Sequence, residues 1–219
     1  MTTNTLNSPK IIGLLDRLFA EEQASESALA IVRQSDASHL ITSKTGYRQF
    51  YSLLKDIPLP VSRDTGSLLY LLARSTRAQS ILEFGTSFGV STIYLAAALR
   101  DNGGGRIITT EFEPSKVARA CENLTEAGLI DLVEIREGDA LETLAFDLPE
   151  TFDLVLLDGA KSLYADILQC VEAHLRPGSL VLADDARYCA EFVSRIRTDT
   201  NRYVSVPLAG DMEISMRLL

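Results

Sequence analysis

The stretch Ile81-Leu82-Glu83-Phe84-Gly85-Thr86-Ser87-Phe88-Gly89-Val90-Ser91-Thr92 constrains this chain most. An apolar strand ends in an acid, crosses a turn flanked by glycines, and continues into an apolar helix. A second strand, Arg106-Ile107-Ile108-Thr109-Thr110-Glu111, also ends in an acid. Parallel strands that end in carboxylates around a glycine turn make a nucleoside site, with one acid near the turn and one placed to receive a ribose.

From residue 79 onward the pattern repeats. Strands are predicted near 80–84, 106–111, 132–136, 152–157 and 178–183, and helices near 90–100, 115–127, 139–146, 162–174 and 187–198. Short strands alternating with longer helices imply βαβ units and a parallel sheet. Leu154-Val155-Leu156-Leu157 and Leu180-Val181-Leu182-Ala183 are apolar on both faces, as buried parallel strands are. The end differs. Residues 203–207 and 212–218 read as strands joined by a tight turn at Ala209-Gly210-Asp211, which adds one antiparallel strand. Upstream, helical spacing runs from Pro9 to about Val32 and from Tyr47 to Lys55. The stiff linker Ile57-Pro58-Leu59-Pro60-Val61 follows. Asp64 or Thr65 is placed to cap a helix over Gly66–Ser75. The expected organisation is a helical extension or cap over 1–60 and a cofactor-binding domain over 61–219.

Bulk properties exclude some partners. Lys and Arg number 21 against 30 Asp and Glu, a net charge of −9. That disfavours nucleic acid and anionic membranes, which select basic surfaces. No run approaches the ~20 apolar residues of a membrane span, and Met1-Thr2-Thr3-Asn4-Thr5 lacks signal-peptide character. Cys121, Cys170 and Cys189 show no metal-ligand spacing and read as buried thiols. A cytoplasmic protein is expected.

The glycine turn admits several readings. Gly85-Thr86-Ser87-Phe88-Gly89 matches a nucleophile elbow in letters, but that triad needs a late histidine. The histidines are His39 and His174, one before the serine and one well before the final strands. A dinucleotide fingerprint needs glycines where Ser87 and Val90 stand. S-adenosylmethionine, which has no pyrophosphate, fits better. Gly85, Ser87 and Gly89 let the backbone approach it. Ser91 near the helix start donates to the methionyl carboxylate, Glu111 accepts the ribose hydroxyls, and Asp139, followed by Ala140, accepts from the adenine amino group. The bland alternative is a plain β-to-α turn.

The fourth strand ends in Asp158-Gly159-Ala160-Lys161 and the fifth in Asp184-Asp185, on the same rim. Three hard oxygens from Asp158, Asp184 and Asp185 suit Mg²⁺; helix capping by Asp158 and Asp185 is the alternative. Lys161 is a candidate general base, or else a surface lysine. Tyr164 reads as packing on the same face. Tyr47, Phe50, Tyr51 and Tyr188 are candidate aromatic walls for an acceptor, or core residues.

These residues resemble the cation-dependent O-methyltransferases, which include catechol and caffeoyl-coenzyme A O-methyltransferases. The carrying segments are Pro60–Gly66, Leu82–Ser91, Thr110–Pro114, Leu157–Tyr164, Leu182–Asp185 and the terminal hairpin. The resemblance implies a seven-strand Rossmann-like sheet of order 3-2-1-4-5-7-6, strand 7 antiparallel, with helices on both faces. It implies cofactor contacts from Val61, Glu83, Gly85, Ser91, Glu111 and Asp139, a metal held by Asp158, Asp184 and Asp185, and a base at Lys161. Asp158 then serves cofactor, metal and chemistry at once. Two departures stand out. The family usually pairs Asp with Asn where this chain has Asp184-Asp185, and the segment from Asp185 to Arg197 is compact where many members carry an insertion over the acceptor.

The expected activity is divalent-cation-assisted methylation of a small aromatic acceptor with vicinal hydroxyls. Alternatives are a metal-independent methyltransferase on the same fold, or a non-catalytic cofactor-binding subunit. A homodimer is expected, its interface supplied by the apolar stripe of the N-terminal helices.

Overall fold

The computed structural model describes residues 4–208 and 211–219. The turn residues Ala209 and Gly210 of the expected hairpin lie outside the described residues. The strands are β1 (Ser80–Phe84), β2 (Arg106–Glu111), β3 (Val133–Glu137), β4 (Phe152–Leu157), β5 (Leu175–Ala183), β6 (Tyr203–Leu208) and β7 (Met212–Arg217). They form one sheet of order β3-β2-β1-β4-β5-β7-β6. Strands β1 to β5 pair in parallel, and β7 pairs antiparallel with both β5 and β6. The sheet order and the antiparallel strand are those that the resemblance implies.

The helices are α1 (Pro9–Arg33), α2 (Tyr47–Ser52), α3 (Arg63–Ser75), α4 (Val90–Asp101), α5 (Pro114–Ala127), α6 (Ala140–Thr143), α7 (Tyr164–Val171) and α8 (Ala190–Thr198). Two apolar clusters hold them to the sheet. One contains α1, α3 and α4 with Ile81, Ile107 and Leu156 of the strands. The other contains α7 and α8 with Leu82, Val155 and Val181, so helices cover both faces. Helix α4 is apolar all round and buried from Val90 to Leu99, which puts it in the interior.

Helix α3 is capped by Ser62, whose hydroxyl accepts from the Thr65 N–H, two or three residues before the expected Asp64 or Thr65. The 3₁₀ turn over Asp36–Thr42 had no periodic signal. The apolar stripe of α1 is used inside the chain: Ile11, Leu14, Leu15 and Leu18 are buried in the first cluster. These four residues are therefore not available to the expected dimer, while Ile12 and Ile31 of the same helix remain exposed.

Candidate active site

The carboxyl ends of β1 to β4 open onto a cleft of about 840 Å³. Its floor is the turn after β1. Gly85 takes φ of +101°, and a Cβ there would lie 2.7 Å from the Asp158 carbonyl oxygen and from the Gly159 backbone. Only glycine lets the loops after β1 and β4 meet so closely. Ser87 also adopts a left-handed φ of 49°. Its N–H donates to Glu111 Oε2 at 2.9 Å, and the Glu113 N–H donates to Oε1 at 3.0 Å. The carboxylate that ends β2 is thus fixed by backbone donors at the cleft wall. Burial pushes Glu111 above the usual carboxylate range, while Lys116 and the backbone N–H groups pull it back.

The sequence-predicted residues Gly85, Ser87, Ser91, Glu111, Asp139, Ala140 and Asp158 all line this cleft. Glu83, Gly89 and Val61 do not. Glu83 is fully buried behind the turn, where its carboxylate accepts from the hydroxyls of Ser91 (2.6 Å), Thr92 (2.5 Å) and Thr109 (2.6 Å). It braces β1, β2 and α4. Gly89 serves as the left-handed residue before α4, with φ of 85°. Val61 is buried in the core, while Pro58, Leu59 and Pro60 beside it form the wall. Asp139 caps α6 by accepting from the Leu141 N–H at 3.0 Å, and its other oxygen pairs with Arg48 of α2.

A second cavity, about 720 Å³, adjoins the first and shares Asp158, Tyr51 and Pro58–Pro60 with it. Lys161, Asp184 and Asp185 lie on one side, and Glu22, Leu29 and Arg33 of α1 on the other. The N-terminal helix therefore walls this second cavity. Tyr47 and Tyr51 line the first cleft and Phe50 and Tyr51 the second; Tyr188 lines neither.

Lys161 is buried, with Nζ 3.1 Å from Asp158 Oδ1, 2.9 Å from the Tyr164 hydroxyl and 3.6 Å from Asp185 Oδ2. The Tyr164 hydroxyl in turn donates to the Asp184 carbonyl at 3.1 Å, so Tyr164 positions the ammonium rather than merely packing. Burial pulls the proton affinity of Lys161 down, but Tyr164, Asp158, Tyr51 and Asp185 more than offset it, and Lys161 is held protonated. Burial, aided by the Asp184 charge, pushes Asp158 up to about 7 against the pull of Lys161. Asp184 is raised for the same first reason. Asp185 sits at a left-handed φ of 53°, a conformation that Asp and Asn tolerate.

Among the described residues, no three acidic, histidine or cysteine side chains converge tightly enough to grip a metal as they stand. The donor chemistry still fits a hard cation. Three carboxylates share one rim, two of them raised by burial and like charge; the buried Lys161 and, from the exposed side, Arg187 at 3.7 Å from Asp185 are the cations within reach.

Lys116 went unremarked in the sequence. It lines the first cleft and is 3% exposed. Its signal was its register: residues 116, 120, 124 and 127 make the buried stripe of α5.

The sheet order with an acid-lined rim is the architecture of class I S-adenosylmethionine methyltransferases. A family model described as a methyltransferase domain matches residues 82–186. A catechol O-methyltransferase of Mycobacterium tuberculosis is 33% identical over 180 residues, which is 82% of this chain and 72% of that protein. One of Niastella koreensis is 40% identical over 130 residues, 58% of each chain. The O-methyltransferase TomG from Streptomyces achromogenes, solved with S-adenosylmethionine, superposes with a TM-score of 0.66 at 27% identity, covering 94% of this chain and 99% of its own. This chain belongs to the cation-dependent O-methyltransferase family.

Proposed function

We propose that the protein transfers a methyl group from S-adenosylmethionine to a hydroxyl of a small acceptor, most favourably an aromatic ring with vicinal hydroxyls. The observation that carries this reading is the meeting of two cavities at Asp158. One offers backbone and carboxylate groups suited to an adenosine, and the other offers a buried lysine among aspartates. A donor and an acceptor bound there would face each other across that residue, and such alignment is the main task for an already activated methyl.

In this reading residues 61–219 supply the polar groups for the cofactor, with Tyr47, Tyr51 and Pro58–Pro60 completing the wall of its cleft, while residues 1–60 also close the acceptor side through Glu22, Leu29 and Arg33. Glu111 accepts from the ribose and Asp139 faces the adenine; Ser91 lines the methionyl side, but its hydroxyl hydrogen goes to Glu83, so it is not the carboxylate donor expected from the sequence. Asp158, Asp184 and Asp185 would hold a divalent cation, which supplies charge that lowers the acceptor's pKa. Lys161 begins as an ammonium. The positive charge that a bound cation and sulfonium would supply would lower its affinity, so that Lys161 would release a proton to solvent and the resulting amine would then take the acceptor's proton. The setting we propose is cytoplasmic. Pairing of two copies, if it occurs, would draw on the β6 edge, where Val204 and Val206 are each 49% exposed.

One observation favours a metal-free variant of the same reaction: the Lys161 ammonium already stands among the carboxylates. Transfer of labelled methyl to a catechol panel, with Mg²⁺ and with EDTA, tests both. Loss in EDTA restored by Mg²⁺ supports the metal-assisted reading. Transfer indifferent to EDTA supports the lysine-only site. Absence of transfer to every acceptor, with cofactor binding intact, would favour a non-catalytic subunit.

A further inference from the structure

Lys116 stands near the start of α5, on its buried stripe, and its side chain is 3% exposed. Such burial of an ammonium is costly unless it is paired. Among the described residues no carboxylate lies within ion-pair reach of it, and its one hydrogen bond is a long one, 3.5 Å to Ser87 Oγ. That oxygen already accepts from the Leu59 N–H at 3.2 Å. A lysine carries three donors, so two remain without a protein acceptor at the wall of the cleft.

Glu111 faces the same space, but its oxygens are turned to the Ser87 and Glu113 N–H groups rather than to Lys116. A structural ion pair would have closed. Instead a donor and an acceptor remain apart on one wall. The group that satisfies both is a hydroxyl, which gives its hydrogen to the carboxylate and accepts from the ammonium.

We propose that Lys116 is a second ribose ligand, its ammonium donating to a ribose hydroxyl oxygen whose hydrogen Glu111 accepts. This rests on the reading of the cleft as the S-adenosylmethionine site. It assigns to α5 a share in recognising the sugar, which would otherwise fall to the end of β2 alone.

Calorimetric titration with S-adenosylhomocysteine and with its 2′,3′-dideoxy analogue tests the assignment in wild type and Lys116→Met. The variant should bind the ribose form about tenfold more weakly, as for a lost hydrogen bond to a charged group. It should bind the dideoxy form as wild type does. The free variant should melt no lower than wild type, because an unpaired buried charge is gone. Equal affinities, or an equal loss for both ligands, would overturn the role of Lys116 and leave the cofactor reading standing. A wild type that binds neither ligand would overturn both. Lys116→Gln gives the same comparison with a polar replacement, should the Met variant not fold.

Discussion

Glu83 shows how a strand-ending acid can mislead. The sequence placed it beside the glycine turn, where a cofactor contact was expected. The hydroxyls that enclose it belong to Ser91, Thr92 and Thr109, and the last is on a different strand. No local pattern reveals such convergence, whereas Glu111 and Asp158 were legible because they end strands on the open rim. Glu83→Ala leaves three buried hydroxyls without their acceptor and opens a void. It should lower urea stability by about 2–4 kcal/mol. Glu83→Gln, which keeps the shape and one acceptor, should bind cofactor within about threefold of wild type by the same titration. Asp158 is opposite in kind. Its carboxyl, pushed up to about 7 from an ordinary 3.8, is favoured by the fold when protonated. That stabilisation is full below about pH 4 and is lost as pH rises through about 7. In chelator-treated protein, wild type should therefore lose stability relative to Asp158→Asn between about pH 4 and about pH 7. The variant should bind cofactor yet show no turnover. Full activity in Asp158→Asn would remove this residue from the chemistry.

Elements were legible where the apolar period was strong, and their ends were set by contacts that sequence does not display. Helix α6 was expected over 139–146 and stops at Thr143. The reason is Arg136, whose guanidinium donates to the Thr143, Phe146 and Asp147 carbonyls at 2.7–2.8 Å. Those carbonyls turn to the arginine instead of extending the helix. Strand β5 starts at Leu175 rather than 178, because Leu175 pairs with Phe152 ahead of a register shift spanning Pro177 and Gly178. Pro177 and Gly178 thus make an irregularity within the strand rather than its end. At the N-terminus α2 matters more than its length suggests. Arg48 pairs with Asp139, and Tyr47 meets Phe112 edge-on at 6.3 Å. Arg48 is 52% exposed, so the pair adds little to stability. Arg48→Met should leave the melting temperature within about 2 °C. It should weaken S-adenosylhomocysteine binding two- to fivefold by loosening Asp139. Unchanged affinity would confine α2 to the acceptor side.

At the scale of the molecule, cleft and cavity are built from segments far apart in the chain: the linker at 58–60, the strand ends, and α1. The sheet order could be expected from the strand pattern together with the resemblance. That α1 folds back to wall the second cavity could not, since its apolar stripe fits an intramolecular or an intermolecular partner equally well. Binding across so many segments ties ligand affinity to global stability. A ligand at a hundred times its Kd stabilises the folded state by about 2.7 kcal/mol. In a chain of this size that is a rise of roughly 5–10 °C in melting temperature. S-adenosylhomocysteine alone should produce it. Adding Mg²⁺ should then raise the melting temperature further, because a divalent cation offsets the burial and the like-charge repulsion that raise Asp158 and Asp184. The second increment should vanish in Asp158→Asn while the first persists. A wild type that shows the first increment and never the second has a rim balanced by its own cations, Lys161 and Arg187, and its methyl transfer would then be insensitive to EDTA.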